Sequence, residues 1–548
     1  MGISRRALVL SAFGPTALRA LRMSAGAGQQ SIHMKPAPLT LLESMRLAGQ
    51  HLLVALNPKE NYLPYFIMKI GRDYRAIYEF TWPSHNIGRW IDAMLRLENA
   101  TGFTIPRKLE AAMVENLKSF FNNPDNLLLP PAKYAMLSSP PNQLEIHSSR
   151  EALLALTALV RFRGDRWAPA QAHRMMETVW RIARDNGDWD YDGLEGVRHM
   201  LRPPRMDPTQ SHGRLIEALV EFYRATGAPL ALELANRFAR YHLENTTHAD
   251  GTLNLASNAD HTHSYLGTLR GLVLFGELTN QREYIERVAA TLRAYVFARL
   301  IQASGVIAHG MKEEGNAEPA SAGDVVQIAL WLSRLGYPEF LDEVERLVRS
   351  RLLPAQIVQR PGLKPAVEDG ADAHTDLDAR VVGAFRGLHE PYWGANPATD
   401  ITCAVLHTLV DVYRHVAVQG PGGLTVNLHF DYEDGRIRIT SERGEKAKVT
   451  ILPKTRENLA IRIPAWTPPQ SVKLTVSQQS FTPTMIGKFA YVPRDFLPAS
   501  VVLQYDLPVR KEIERIEGKD YSLTWKGDGV IGISPNSNFM PLYPTAPE

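Results

Sequence analysis

Titratable side chains recur at a particular kind of place in this sequence, shortly ahead of an apolar run. They are His85, His147, His212, His261 with His263, Glu318, and Asp400 with Cys403. Only 17 histidines occur in 548 residues, so this placement is a signal. Gathered in one place, they read as a polar funnel for a ligand with many hydroxyl groups. Glycosidic-bond hydrolysis generally needs two carboxyl groups across the scissile bond, one with a raised pKa so that it can donate a proton near neutrality. The acids on offer are Glu313, Glu314, Glu318, Asp324 and Asp400, with Glu318, in Asn316-Ala317-Glu318-Pro319-Ala320-Ser321, as the leading candidate. Tyr265, Tyr392 and Trp393 could present flat faces to a sugar ring.

The elements that must position these groups repeat. An apolar helix end, a turn and a second, more amphipathic helix recur at Leu97–Gly102, Val160–Gly164, Phe222–Gly227, Phe275–Asn280 and Leu332–Gly336. The closing Gly or Asn residues lie 53 to 63 positions apart, as helix C-caps of a repeated unit would. The helix before each cap is apolar on much of its surface, which predicts a buried inner helix. The one after it, as in 282–300 and 338–353, predicts a solvent-facing outer helix. Inner helices are expected to start near 86, 150, 213, 262, 321 and 401, with a helix over 41–56 as the last outer partner. Six such hairpins make a mainly α fold, either a closed (α/α)6 toroid or an open helical solenoid; the period alone does not separate them, and six units followed by a β domain favour the toroid. In a toroid the polar residues named above converge at one opening, where helix N-termini add free N–H groups and partial positive charge.

From about residue 424 the pattern changes to alternation, in 424–430, 436–440, 448–452, 459–463 and 501–505, which predicts an appended β-sandwich over 424–548. Gln419-Gly420-Pro421-Gly422-Gly423 reads as a linker closing a helical domain over 31–419. Residues 1–30 read as a leader: Ser4-Arg5-Arg6, an apolar stretch, then Ala25-Gly26-Ala27. The paired arginines suggest twin-arginine export to the periplasm or medium. Net charge is +3, so composition gives no case for nucleic acid, and no apolar run is long enough for a membrane span. The single cysteine, Cys403, excludes an intrachain disulfide and an all-cysteine zinc site.

Several segments together resemble glycoside hydrolase family 127, the β-L-arabinofuranosidase type. They are Gly213–Ala218 leading to Ala225-Thr226-Gly227, His261–Leu266 with Leu269–Leu272, Glu318–Asp324, Asp342–Arg346, Ile461–Trp466, and Tyr521 with Trp525–Asp528. The resemblance implies an (α/α)6 barrel with β-sandwich material and a retaining exo-glycosidase. In that group a cysteine nucleophile is held by zinc, with a glutamate and two further cysteines as ligands. Glu318 matches the ligand glutamate, but Ala320 stands in place of one cysteine, and Thr402-Cys403 in place of a cysteine pair. Thr402 therefore takes the nucleophile's place and Cys403 a ligand's, and Arg214 replaces a histidine of the typical pattern. With so few ligands the expectation is no zinc and no other cofactor.

Three readings follow. The first is an exo-acting glycoside hydrolase on plant or bacterial glycans, using carboxylates (Glu318, Glu314, Asp324, Asp400), with His85, His147, His212, Arg214, His261, His263, Tyr265, Tyr392 and Trp393 binding the sugar. The second is a lyase on uronates, with Arg214 and Arg270 holding the carboxylate. The third is a carbohydrate-binding protein without chemistry. The partner expected in each case is an oligo- or polysaccharide; oligomeric state is open.

Overall fold

The computed structural model describes residues 39–138, 141–202, 207–254, 261–311 and 316–546. The expected leader over 1–30 and the candidate acids Glu313 and Glu314 lie outside the described residues.

Helix α1 (Leu41–Val54) starts at Thr40, which shares a reciprocal capping box with Glu43. Inner and outer helices then alternate in pairs: α2 (Pro83–Thr101) with α3 (Arg107–Phe120), α4 (Ser149–Arg163) with α5 (Trp167–Ile182), α6 (His212–Thr226) with α7 (Pro229–Asn245), α8 (Thr262–Thr279) with α9 (Arg282–Thr291), and α10 (Pro319–Arg334) with α11 (Leu341–Leu347). A single turn, α12 (Leu377–Arg380), precedes the sixth inner helix, α13 (Thr399–Arg414). Each inner helix packs on the next and α13 packs on α2, so the ring closes; α1 lies against α13 as its outer partner. The ring is thus the closed six-hairpin toroid and not the open solenoid that the repeat alone also allowed.

The caps explain the regularity. Helices α2, α4, α6 and α8 stop at Gly102, Gly164, Gly227 and Asn280, all left-handed. A Cβ on any of the three glycines would meet nothing within 4 Å, so glycine is there for the backbone angle and not for space. Burial follows the two-layer arrangement. Every residue of α8 from Thr262 to Gly276 is buried, whereas α9 buries only one face, including Tyr284, Ile285 and Val288. At Gly88 the reason is space: a Cβ there would stand 2.6 Å from the Glu151 carbonyl oxygen, so glycine sets the approach of α2 to α4.

The strands after α13 form two main sheets. One runs in the order Gln479–Phe481, Lys473–Val476, Val501–Asp506, Lys446–Pro453, Ile437–Arg443, Tyr432–Glu433; the other runs Thr484–Ile486, Phe489–Val492, Leu459–Arg462, Gly423–Val426, Ala417–Gly420. Their inward residues, among them Val449, Ile451, Leu503, Ile461 and Val492, share one core. The Gly/Pro run 419–423, expected as a linker, is instead the turn of a hairpin in which Ala417–Gly420 pairs antiparallel with Gly423–Val426. Two features escaped the periodicity. Ile67–Ile70 and Arg75–Glu79 form a short hairpin ahead of α2, and Val509–Ile516, Lys519–Lys526 and Gly529–Ser534 form a separate three-stranded sheet. The latter packs Tyr521, Leu523 and Trp525 against Val306, Ala317 and Tyr392 of the helical part. No described helix is long and apolar enough to cross a membrane.

Candidate active site at the mouth of the ring

The N-termini of the inner helices open on one side, and the side chains there are held by backbone placement. His261 is the residue before α8 and Glu318 the residue before α10. Between them, His309 is fixed through its main chain: Thr262 N–H donates to the His309 carbonyl (2.9 Å), and His309 N–H donates to the Asn316 carbonyl (2.8 Å). The His309 ring then donates from Nδ1 to Glu318 Oε2 at 3.0 Å.

Asp400 sits in the first turn of α13, its Oδ2 3.8 Å from His85 Nε2 and its Oδ1 accepting from Ile401 N–H (2.8 Å). The two carboxyl groups are displaced in opposite directions. Burial drives the Asp400 pKa up to about 6, with the Glu318 charge adding to the effect. Burial opposes the Glu318 charge, but the hydrogen bond from His309 together with the neighbouring His309, His263 and His261 rings holds the group below the usual carboxylate range. Desolvation also lowers the pKa of the His261 and His263 imidazoles.

Arg89 organises the layer beneath. Its Nε donates to His85 Nε2 (3.1 Å), its Nη2 to His263 Nε2 (2.9 Å) and its Nη1 to the Asp400 carbonyl (3.4 Å). His263 in turn donates from Nδ1 to Asp324 Oδ2 (2.5 Å). Asp324 also accepts from Arg270 Nη1 (2.8 Å), and Arg270 reaches Glu217 with its other arm. Arg214 donates to Glu151 Oε1 (2.7 Å), beside Arg150 and Arg89. Below this lattice the void among Arg89, Asp92, Arg150, Arg270, Cys403 and His407 is only about 20 Å³, room for about one water.

Several expected ligands face elsewhere. His212 stacks on Phe238 of α7 (4.6 Å, 3°) and meets Trp189 edge-on; burial lowers it to about 3, and it is a core aromatic. The Tyr265 hydroxyl pairs with Thr247 (3.1 Å) and its ring is wholly buried. Tyr392 donates to Glu514 and packs on Tyr521, as does Trp393, so both belong to the seam with the three-stranded sheet. Asp324 is committed to His263 and Arg270, and Arg270 to two carboxylates. Neither has the freedom assumed for an acid or for a uronate clamp.

His85, His147, His261, His263, Glu318 and Asp400 do come together. Two groups that the sequence reading missed join them. His309 is one. The other is Trp82, left-handed (φ +50°) at the start of α2, with its ring 5.5 Å from both His85 and His147. A bulky residue in that conformation is strained and marks functional sites. Its signal was available, a Trp immediately before Pro83 at an inner-helix start.

The zinc–thiolate set implied by the resemblance does not fit. Ala320 has no donor. Thr402 Oγ1 accepts from Phe385 N–H (3.1 Å), and Cys403 is buried beside Arg89 and His407 with its thiol pushed up by burial. The donor atoms of His261, His309 and Glu318, by contrast, all lie within 4.8 Å of one another.

No protein-family model matches the chain, and no curated protein matches its sequence. Solved structures do share its fold. A GH127 β-L-arabinofuranosidase from Geobacillus stearothermophilus T6 is 14% identical, with TM-score 0.53 over 94% of this chain and 82% of that one. A second GH127 β-arabinofuranosidase is 14% identical at TM-score 0.56 over 90% and 81% of the two chains. A further glycoside hydrolase is 14% identical at TM-score 0.54 over 85% and 83%. The chain therefore has the helical-ring-plus-β architecture of these glycoside hydrolases.

Proposed function

We propose that this protein is a glycoside hydrolase acting at the mouth of the ring, with Asp400 as proton donor and Glu318 as the anionic carboxyl group across the scissile bond. The observation that carries the reading is the placement of these two groups at the N-termini of the neighbouring inner helices α10 and α13, on one opening. The opposed shifts, Asp400 raised and Glu318 lowered, match the division of labour that glycoside hydrolysis requires. Trp82 and His147 border the same opening, with His85 buried behind them, and offer a stacking face and ring nitrogens to hydroxyl groups. Exo action on a terminal sugar belongs to this reading, and the ion-pair lattice filling the ring beneath the mouth is in keeping with it. The lyase reading loses its support, since Arg270 is already paired with Glu217 and Asp324.

The test is a product assay on a panel of polysaccharides and aryl glycosides, recording released sugar and conjugated-alkene absorbance together. Free sugar without alkene is expected. Glu318→Gln and Asp400→Asn should each cut turnover by about 10²–10⁴-fold while circular dichroism shows the fold retained. Alkene formation would replace hydrolysis by elimination, and unchanged turnover in both variants would remove this carboxyl pair from the mechanism.

A further inference from the structure

We propose that His261, His309 and Glu318 form a binding site for one divalent transition-metal ion, with zinc the ion best matched by the donors. Two imidazole nitrogens and one carboxylate oxygen are a set that zinc takes with a fourth position left open, whereas calcium and magnesium favour all-oxygen surroundings. The spacing fits. Around a tetrahedral zinc with bonds of about 2.0–2.1 Å, neighbouring donors stand roughly 3.3 Å apart; His309 Nδ1 and Glu318 Oε2 are 3.0 Å apart, and all three donors fall within 4.8 Å. On loading, the donors that stand farther apart draw in toward the ion, and the proton between His309 and Glu318 is released.

The site is built and not merely crowded. Its three members come from the residue before α8, the residue before α10 and the segment between, and main-chain hydrogen bonds tie that segment to both ends. Ala317, next to Glu318, donates in addition to the His389 carbonyl (2.8 Å). His261 Nδ1 is engaged by Ser264 Oγ at 2.7 Å, which leaves Nε2 as the ring nitrogen for a metal and fixes the ring's orientation, as outer partners of metal-bound histidines do. His261 and His309 are partly exposed at the mouth while Glu318 is buried, so an ion can enter from solvent and meet the carboxylate at the bottom. Only Glu318 is shared with the thiolate set implied by the family resemblance; the imidazoles are this chain's own.

The inference stands apart from the hydrolase reading, because binding is measured without substrate. In the metal-free protein the Glu318 charge is available to a sugar; in the loaded protein it is spent on the ion. The full chain, stripped with chelator, is titrated with zinc chloride by calorimetry, with magnesium and calcium chloride as comparators. One zinc per chain is expected, with a higher Tm and no comparable binding of the other two ions. His261→Ala and His309→Ala should each abolish the saturable event, while His147→Ala, at the same mouth, should keep it. Absence of one-equivalent binding, or binding unaltered in both triad variants, overturns the proposal. Should the variants fail to fold, cobalt(II) loaded into the unaltered protein decides: an intense visible band of a four-coordinate site supports the triad, and its absence overturns it.

Discussion

His263 and Asp324 join α8 to α10 through a 2.5 Å hydrogen bond between Nδ1 and Oδ2. This bond settles the tautomer of a ring whose other nitrogen receives Arg89, the residue that also touches His85 and the Asp400 carbonyl. Burial works against the Asp324 charge, yet His263 and Arg270 hold the carboxyl below its usual range. Asp324 is therefore a positioning residue. Asp324→Asn keeps the shape and removes the charge, so the local field becomes more positive and the Asp400 pKa falls. The basic limb of the pH–rate profile should move to lower pH, with kcat reduced by roughly 10–100-fold, the range seen for outer partners of functional histidines. An unmoved limb would leave Asp324 with only a structural role.

Asp400 gives the pH dependence its sign. It is faced by His85, Arg89, Arg214 and Glu318, and its carboxyl is raised from 3.8 to about 6. As proton donor it works when protonated, so in metal-stripped protein kcat/KM should fall as pH rises through about 6. A profile flat from pH 5 to 8 would exclude this role.

The same shift carries a stability cost. A carboxyl group raised in the folded state adds stability below its unfolded pKa and loses it as pH rises through the folded value. At pH 7.5 the ionised Asp400 therefore weighs against folding, by on the order of 3 kcal/mol for a shift of this size. Asp400→Asn should raise Tm at pH 7.5 and leave it nearly unchanged at pH 4, while cutting turnover by about 10²–10⁴-fold. A lower Tm at pH 7.5 would contradict the burial argument.

Trp82 should act on binding. It borders His85 and His147 but touches neither Glu318 nor Asp400 through any hydrogen bond described above. Trp82→Ala should raise KM, by about tenfold if one sugar-stacking contact of 1–1.5 kcal/mol is lost, and leave kcat within a factor of a few. A selective loss of kcat would mean that the ring positions the acid.

The ring was legible because its signals are local. Left-handed caps at Gly102, Gly164, Gly227 and Asn280 repeat every 53 to 63 residues, and the helices before them, apolar on much of their surface, read as inner ones. The site was half legible. A residue at a helix start is known to lie near the mouth, but sequence does not say which way it points. His261, the residue before α8, lies against His309, while His212, the first residue of α6, stacks on Phe238 of α7. His309 was missed because pairing of Ala308 with Ala317 places it beside α10, and no periodicity encodes that bridge. Arg89, Arg150, Arg214 and Arg270 were more readable than they were read. A charged residue inside a helix buried all round needs a partner, and the four inner-helix arginines meet Glu151, Glu217 and Asp324.

The β region is fastened to the ring by charge, and this too can be tested. Arg462, in the strand Leu459–Arg462, is buried and donates to both Asp342 and Glu345 of α11, and His429 N–H donates to Glu345 as well. Burial opposes the Glu345 charge, but Arg462, then His429 and Arg349, bring the carboxyl down to about 2. A carboxyl group lowered on folding adds stability above its unfolded pKa, and that stability is lost as pH falls through the folded one. Docking of the β region should therefore be undisturbed above about pH 4.5 and weaken between there and pH 2. Arg462→Leu leaves two carboxylates at the seam without their cation, at a cost of about 3–5 kcal/mol at neutral pH. Limited proteolysis at pH 7 should then cut the variant near the α13–strand junction, at 415–416, while the unaltered chain resists. Equal resistance of the two proteins would show that apolar packing alone holds the seam.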